Sequence, residues 1–215
     1  MKLIRLTSAA ASLSLLLAVA PFAHADIVTN GTFGTSSPSI AGWSHTGTGT
    51  TPGIGITAIN LASDGYGDSI PNINGTSTGA FFVDDNANET LSQSITLAAN
   101  TNYQLTFDLF ATQSGANNPF LFTLTNSVGV VASSVITNAD LTAGVWTPET
   151  LDFTSGAAGN YDLAYNFISG ATPAKDVILT NVAVNTAATP EPSSLLLLGS
   201  GLLGLAGAAR RRLSR

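Results

Sequence analysis

Apolar and polar side chains alternate one by one in the stretch Tyr103-Gln104-Leu105-Thr106-Phe107-Asp108-Leu109. The same alternation returns in Tyr161-Asp162-Leu163-Ala164-Tyr165-Asn166-Phe167. A period of two sends successive side chains to opposite sides of an extended chain. Each stretch therefore predicts a β-strand with one face on a core and the other face toward water.

Eight further strands are predicted between turns rich in Gly, Asn, Ser and Asp, at residues 27–33, 54–60, 79–84, 90–97, 119–125, 128–136, 145–153 and 176–184. The Gly-, Ser- and Thr-rich residues 34–53 predict a surface loop. Short strands without long amphipathic helices to cover a parallel sheet favour an all-β fold. We expect an antiparallel β-sandwich of jelly-roll type, stabilised by its core because the chain has no cysteine.

The N-terminal segment has the three parts of a secretory signal. Lys2 and Arg5 form a basic start, residues 13–20 are apolar apart from Ser14, and Ala23-His24-Ala25 is a small-x-small cleavage site. We therefore predict a signal helix within residues 1–25, removed before Asp26 during export.

The C-terminal segment is a short apolar stretch with a marker on each side. Pro190-Glu191-Pro192 precedes fifteen uncharged residues, 195–209, and Arg210-Arg211-Arg212 follows them. Fifteen helical residues reach about 22 Å, which is short of the ~30 Å hydrocarbon core. The pattern predicts a short transmembrane helix in a tail over 188–215. The arginine cluster would stay cytoplasmic, so the ectodomain at 26–187 would lie across the membrane.

This tail resembles the PEP-CTERM sorting signal of Gram-negative bacteria, in its Pro-Glu-Pro motif, its short helix and its terminal arginines. The resemblance implies recognition by an exosortase, cleavage near the motif and transfer to the cell surface or extracellular matrix. The C-terminal helix would then be only a transient membrane anchor. The alternative is a plain single-pass anchor behind a proline-rich linker.

The charge of the body excludes one class of partner. Between residues 26 and 189 the chain has twelve acidic residues and one basic residue, Lys175, for a net charge of −11. Nucleic-acid binding needs clustered Lys and Arg to neutralise phosphates, so we exclude it. Neutral sugars and divalent cations remain as ligands.

The body resembles galactose-binding-like jelly rolls of the carbohydrate-binding-module type. The matching pieces are Asn30-Gly31-Thr32-Phe33 with Gly42-Trp43, the stretch 91–97 leading to 103–108, Trp146 before 151–153, and the closing strand 177–184. The resemblance implies sugar binding. It also implies a structural calcium held by acidic residues, but this chain has Gly34 and Thr180 at those places.

Two groups of residues are candidate binding sites. Sugar recognition uses aromatic faces with amides and carboxylates beside them, which points to Trp43, Tyr66 and Trp146. A polar cluster offers hard oxygen ligands for calcium, in Asp84, Asp85, Asn86, Asn88 and Glu89. The alternative for this cluster is an Asx-rich hairpin turn with solvated charges.

Three functions are compatible with these features. The first is a non-catalytic exported surface or matrix protein that is associated with exopolysaccharide or biofilm. The second is a carbohydrate-binding module with an aromatic platform for the sugar. The third is a secreted glycoside hydrolase, for which the sequence offers no local signature. We predict no catalytic residue, because His45 is the one histidine left after signal removal and lies in a Gly- and Thr-rich run.

Overall fold

Stretches in which apolar and polar residues alternate form strands throughout the body. The computed structural model describes residues 26–34, 37–47, 55–63, 70–82, 88–112, 119–137, 140–168, 176–187, 199–201, 204, 210 and 211. Within these ranges the strands are β1 (Ser44–Thr46), β2 (Thr57–Asn60), β3 (Thr78–Phe82), β4 (Glu89–Leu97), β5 (Asn102–Ala111), β6 (Phe120–Thr125), β7 (Val130–Ile136), β8 (Trp146–Thr154), β9 (Gly159–Phe167) and β10 (Val177–Thr186).

The strands pair into two five-stranded antiparallel sheets. Sheet 1 has the order β1-β4-β9-β6-β7, and sheet 2 has the order β2-β3-β10-β5-β8. Neighbours within a sheet are mostly distant in sequence, so the chain crosses between the sheets repeatedly. The predicted all-β antiparallel sandwich is confirmed.

The core lies between the sheets and is rich in aromatic rings. Tyr103, Leu105, Phe107 and Leu109 of β5 are all buried in it, as their alternation predicts. Tyr165 of β9 packs at its centre, with ring centroids 5.2 Å from Phe107 and 5.9 Å from Phe120. Burying one such side chain contributes about 1.5–3 kcal/mol, so this layer is the main source of stability.

A second, smaller apolar cluster covers one end of the outer face of sheet 2. It is formed by Ile59, Leu61, Ile70, Phe81, Phe110 and Ile178. Leu61 and Ile70 belong to the connection between β2 and β3, which therefore closes over the sheet at this end. Within the described residues, the exposure of the remaining outward side chains increases away from this cluster, from the buried Thr180 and Asp108 to the exposed Gln104 and Asp152.

The predicted strand at 27–33 is wrong, because this segment consists of turns. Asn30 and Phe33 have positive φ values of 54° and 58°, which break an extended chain. Hydrogen bonds from the Gln93 side chain hold this segment in place of strand pairing. The Gln93 amide oxygen accepts from the Thr29 N–H at 2.8 Å, and its NH₂ donates to the Thr29 and Gly42 carbonyls at 2.8 and 3.0 Å. The predicted loop at 34–53 is also wrong in part, because it contains β1, which pairs with β4.

The predicted terminal helices fall mostly outside the described residues. The signal segment 1–25 lies wholly outside them, and in the tail residues 199–201, 204, 210 and 211 are helical. Within the described part of the chain, no helix is long and apolar enough to cross a membrane.

Candidate functional site

The outer face of sheet 2 presents rows of side chains that are mostly polar beyond the second apolar cluster. Three adjacent strands, β10, β5 and β8, place residues in register across it. From one end to the other the rows are Ile178–Phe110–Trp146, Thr180–Asp108–Pro148, Ala183–Thr106–Thr150 and Asn185–Gln104–Asp152, and Asn102–Thr154 completes the last row. These residues alternate with the core residues of β5 and β8, so they point away from the core. We call this surface the polar face.

Amides, a carboxylate and hydroxyls lie at the far end of the polar face. The Gln104 side chain donates to Asp152 Oδ1 at 2.9 Å, and the Thr154 hydroxyl donates to Asn102 Oδ1 at 2.7 Å. Both pairs are exposed, and they line a groove of about 660 Å³ together with Asn185. That volume lies within the usual range for small-molecule clefts.

A buried carboxylate lies in the middle of the polar face. Asp108 is 6% exposed and accepts a hydrogen bond from the Asn181 amide at 2.8 Å. The Thr76 hydroxyl donates to the Asn181 oxygen at 2.6 Å. Asn181 has a φ of 52° where the register shifts between Thr180 and Ala183. This β-bulge turns its amide toward Asp108, beside a second cavity of about 260 Å³ that Asn74 also lines.

Trp146 closes the other end of the polar face. Its indole N–H donates to the Pro71 carbonyl at 2.7 Å, and its ring centroid lies 5.1 Å from that of Phe110. The side chain is half-buried against the second apolar cluster. Trp146 and Thr154 are eight residues apart on one strand, so the polar face is about 27 Å long.

Two acidic groups beside the polar face have pKa values shifted in opposite directions. Burial raises the pKa of Glu149, and the negative charge of Asp140 raises it further. The backbone N–H and hydroxyl of Thr137 hydrogen-bond to Asp140 and lower its pKa. Glu149 is in register with Phe107, on the side of β8 opposite to the polar face.

Trp43 is placed in the core and away from the polar face. It is 8% exposed, its ring centroid lies 5.4 Å from Phe33 and 6.2 Å from Tyr165, and its N–H donates to the Asn30 carbonyl at 3.1 Å. Its ring and its donor are thus engaged within the protein. The structure does not bring Trp43 and Trp146 together into one platform.

The other predicted ligands are described only in part. Tyr66, Asp84, Asp85 and Asn86 lie outside the described residues. Asn88 is exposed, and Glu89 is fully buried as the first residue of β4. Among the residues that the structure describes, no three His, Asp or Glu side chains are close enough to hold a metal. Calcium binding by the 84–89 cluster stays a prediction.

The two positions at which the resemblance implies acidic calcium ligands are hydrogen-bonded within the protein. The fully buried Thr180 donates its hydroxyl to the Thr78 carbonyl at 2.8 Å. The Thr78 hydroxyl in turn lies 2.8 Å from the Thr32 carbonyl oxygen and 2.6 Å from that of Gly34. The single hydroxyl proton of Thr78 can bond to only one of these carbonyls at a time. Because Gly34 and Thr180 carry no carboxylate, these two positions lack the charged ligands that the resemblance implies.

The structure describes only two residues of the predicted sorting motif. Pro190, Glu191, Pro192 and Arg212 lie outside the described residues, and Arg210 and Arg211 are exposed and helical.

Sequence reasoning missed the polar face itself. Gln104, Thr106 and Asp108 were visible as the polar half of an alternating strand, but a solvated face and a binding face give the same pattern. Asn181 and Asp152 have no local signal of such a role, because nothing in the sequence near them shows that β8 and β10 flank β5.

The C-terminal tail matches a known family. Residues 188–212 match the family described as the PEP-CTERM protein-sorting motif. This motif indicates an exported protein that an exosortase sorts. No curated protein is similar to the chain in sequence.

Solved structures share the fold of the body. TmCBM61, solved in complex with β-1,4-galactotriose, matches 76% of this chain over 99% of its own length, with a TM-score of 0.56 and 13% identity. An arabinose-bound MgGH51 α-L-arabinofuranosidase matches 77% over 27% of its length, with a TM-score of 0.55 and 13% identity. The enzymatically active domain of tailspike protein 4 from bacteriophage CBA120 matches 75% over 21% of its length, with a TM-score of 0.53 and 18% identity.

These likenesses confirm the predicted jelly-roll type of β-sandwich. The chain thus has a body with the fold of a carbohydrate-binding module and, C-terminal to it, a PEP-CTERM sorting motif. It spans about a quarter of the two enzymes, or less, so their activities do not transfer to it.

Proposed function

We propose that this chain is a non-catalytic, exported surface protein that binds neutral carbohydrate on the polar face of sheet 2. The observation that carries the proposal is the open groove lined by Gln104, Asp152, Asn102, Thr154 and Asn185. Sugars present many hydroxyl groups, which amides, carboxylates and hydroxyls at a groove can bind. The fold that it shares with a galactotriose-binding module supports the same interpretation.

Trp146 lies at the opposite end of the polar face from this groove, six residues or about 20 Å along β8 from Asp152, and it offers an apolar contact to a glycan long enough to span the face. Sugar rings have apolar faces that pack on aromatic side chains. Trp146 belongs to β8 and lies in the row next to the one that contains Asp108 and Pro148. Because its N–H and its contact with Phe110 hold it in place, little side-chain entropy is lost on binding.

Charge selects the class of glycan. A body with a net charge of −11 repels uronic acids and sulfated sugars at long range. A neutral oligosaccharide has no such penalty, so we infer neutral extracellular polysaccharide as the ligand. Association with exopolysaccharide or biofilm at a Gram-negative cell surface would follow from this specificity and from sorting.

The alternative of a glycoside hydrolase needs two carboxyl groups about 5–9.5 Å apart across a sugar bond. Among the described residues that point outward on the polar face, the carboxylates are Asp108 and Asp152, four residues apart in register. At ~3.4 Å per residue they are separated by about 13 Å or more, which does not suit either hydrolysis geometry. This pair of carboxylates therefore favours binding over hydrolysis. Glu149 also lines the cavity at Asp108, but it is in register with Phe107 on the opposite side of β8.

A glycan array with the full chain tests the proposal. We expect saturable binding to neutral oligosaccharides, with β-1,4-galactotriose as the first probe. The array is repeated with calcium and with a chelator: a loss of binding in chelator would support the predicted calcium cluster at 84–89. No binding by a folded protein to any neutral glycan would leave a purely structural matrix protein as the better explanation.

Sorting has its own test. Replacing Pro190, Glu191 and Pro192 with alanine should leave the chain, with its C-terminal helix intact, in the inner membrane. The wild-type chain should lose the tail and reach the surface in a strain with an active exosortase. Finding the wild-type tail uncut in that strain would support the plain membrane anchor instead.

A further inference from the structure

The cavity of about 260 Å³ in the middle of the polar face is separate from the groove at its far end. Polar side chains from three segments line it, among them Asp108, Asn181, Asn74, Thr106 and Thr150. Asp108 is four residues from Gln104 on β5, so the cavity and the groove are about 13 Å apart. The cavity is smaller than the usual cleft for a drug-sized molecule, so it suits one small group of a ligand.

The Asp108 carboxylate is buried, but one of its oxygens is not used. The residue is 6% exposed, and its Oδ2 accepts from the Asn181 amide at 2.8 Å. Within the described residues no donor contacts Oδ1, which remains accessible. Burying a carboxylate costs free energy unless donors reach its acceptor positions. A ligand that brings a hydroxyl donor to Oδ1 would therefore form a strong hydrogen bond.

A β-bulge and a tight turn hold the groups around Asp108. The Thr76 hydroxyl donates to Asn181 Oδ1, so the NH₂ group of Asn181 faces Asp108. Thr76 also closes the turn that contains Asn74, because its N–H donates to the Ile73 carbonyl at 2.7 Å. These polar groups are in place before a ligand arrives, which lowers the entropy cost of binding.

The row next to Asp108 supplies hydroxyl groups. Thr106 and Thr150 are in register across β5 and β8. Neither hydroxyl makes a hydrogen bond to any residue that the structure describes. Among the described residues that line the cavity there is no Lys, Arg or His to pair with the carboxylate. The cavity thus combines a charged acceptor with hydroxyls that donate and accept, which is the chemistry that binds a sugar hydroxyl.

We propose that Asp108 is the specificity-determining residue for the glycan on the polar face. One sugar unit places a hydroxyl in the cavity and donates to Asp108 Oδ1, while Thr106 and Thr150 bond to the neighbouring oxygens of that unit. The inference rests on the proposed carbohydrate binding and assigns its selectivity. A site built to bond a hydroxyl rejects a sugar that lacks it, because the buried carboxylate then stays unpaired.

Calorimetric titration of β-1,4-galactohexaose, a chain long enough to cover the groove and the cavity, tests the proposal. Asp108→Asn keeps the shape of the side chain, and its oxygen can still accept from Asn181, but an NH₂ group then faces the cavity. The dissociation constant should rise at least about fivefold, because hydrogen bonds to a charged group are roughly twice as strong as neutral ones. A chelator is present throughout, so that a cation at Asp108 cannot cause the difference.

Asp162→Asn is the matched control. Asp162 is an exposed carboxylate on β9 of sheet 1, and its replacement changes the net charge of the chain equally. This variant should leave the dissociation constant unchanged. Binding that is unaffected by Asp108→Asn, or weakened equally by both variants, would overturn the proposal.

A second variant covers the case in which Asp108→Asn lowers the unfolding temperature. Thr106→Val/Thr150→Val removes the two unused hydroxyls and keeps the shape of both side chains. It should raise the dissociation constant at least about threefold, since neutral hydrogen bonds to the sugar are lost. No change in this variant would mean that no sugar unit enters the cavity, which also overturns the proposal.

Failure of this inference is distinguishable from failure of the proposed function. Binding by the wild-type chain that is lost in Gln104→Ala/Asp152→Ala but kept in Asp108→Asn would leave sugar binding on the polar face and remove the role of Asp108. A folded wild-type chain that binds no neutral glycan would overturn both.

Discussion

The hydroxyl of Tyr165 is a polar group buried in the aromatic core. The residue is fully buried among aromatic rings, and its hydroxyl has no hydrogen-bond partner within the described residues. Burial raises the pKa of Tyr165 well above its usual value of 10. A buried hydroxyl that makes no hydrogen bond costs stability and also makes stability depend on pH at the alkaline end.

Tyr165→Phe should stabilise the protein by about 1 kcal/mol, because it removes this hydroxyl without changing the ring. The free energy of unfolding, measured with urea at neutral pH, checks this. The unfolded tyrosine loses its proton near pH 10, and the folded one keeps it. The unfolded state then binds fewer protons, so the wild-type stability falls as pH rises above about 10. The gain from Tyr165→Phe should therefore increase between about pH 9 and pH 11, the range in which an unfolded tyrosine titrates.

Tyr161→Phe is the matched control, because the Tyr161 hydroxyl is fully used. It donates to the Ala157 carbonyl at 2.7 Å and accepts from the Gly156 N–H at 3.1 Å. This variant should lose about 1 kcal/mol. Equal effects of both variants would contradict the view that only Tyr165 buries an unused hydroxyl.

At the scale of elements, the alternation of apolar and polar residues predicted the strands well. It failed at residues 27–33, where side-chain hydrogen bonds replace backbone pairing between strands. β5 and β9 follow directly from their period of two, because one face of each is buried in the core. Residues 27–33 are apolar enough for a strand, yet Asn30 and Phe33 take positive φ. The cause is a distant contact: the Gln93 amide satisfies the backbone of Thr29, 64 residues away. Nothing near Thr29 in the sequence signals this partner.

Gln93→Ala should therefore release the turn segment from β4. It removes three hydrogen bonds of a side chain that is 6% exposed, and it leaves backbone groups of Thr29 and Gly42 without their partner. We expect a loss of about 2–3 kcal/mol in urea unfolding. Gln104→Ala, an exposed glutamine on β5, should change stability by less than about 0.5 kcal/mol. A similar cost at both positions would show that the Gln93 bonds do not hold the turn.

At the scale of the whole molecule, a motif that is contiguous in the sequence can be predicted from it. A surface assembled from three strands that are distant in the sequence cannot. The sorting motif is contiguous, so Pro190-Glu191-Pro192 and the arginines could be recognised directly. The polar face needs the order β10-β5-β8, which brings Asn185, Gln104 and Asp152 into one row from three distant segments. Trp146 was selected for its aromatic ring alone, and its place on this face depends on the same order.

Binding to a neutral glycan should be nearly independent of salt, because no charge on the ligand is screened. Titrations of β-1,4-galactotriose at low and high NaCl should give the same dissociation constant within about twofold. An anionic polysaccharide should bind poorly at low salt, where repulsion from the acidic body is strongest. Tighter binding of the anionic glycan at low salt would contradict the inferred specificity.

Calorimetric titration of β-1,4-galactotriose into matched variants tests the sugar-binding polar face most directly. Gln104→Ala/Asp152→Ala removes an exposed, hydrogen-bonded pair from the polar face, and Thr96→Ala/Asn160→Ala removes a similar pair from sheet 1. We predict saturable binding by the wild-type chain, a loss of at least about tenfold in the first variant and no change in the second. Binding that survives the first variant unchanged, or is lost equally in both, would contradict a carbohydrate site on the polar face.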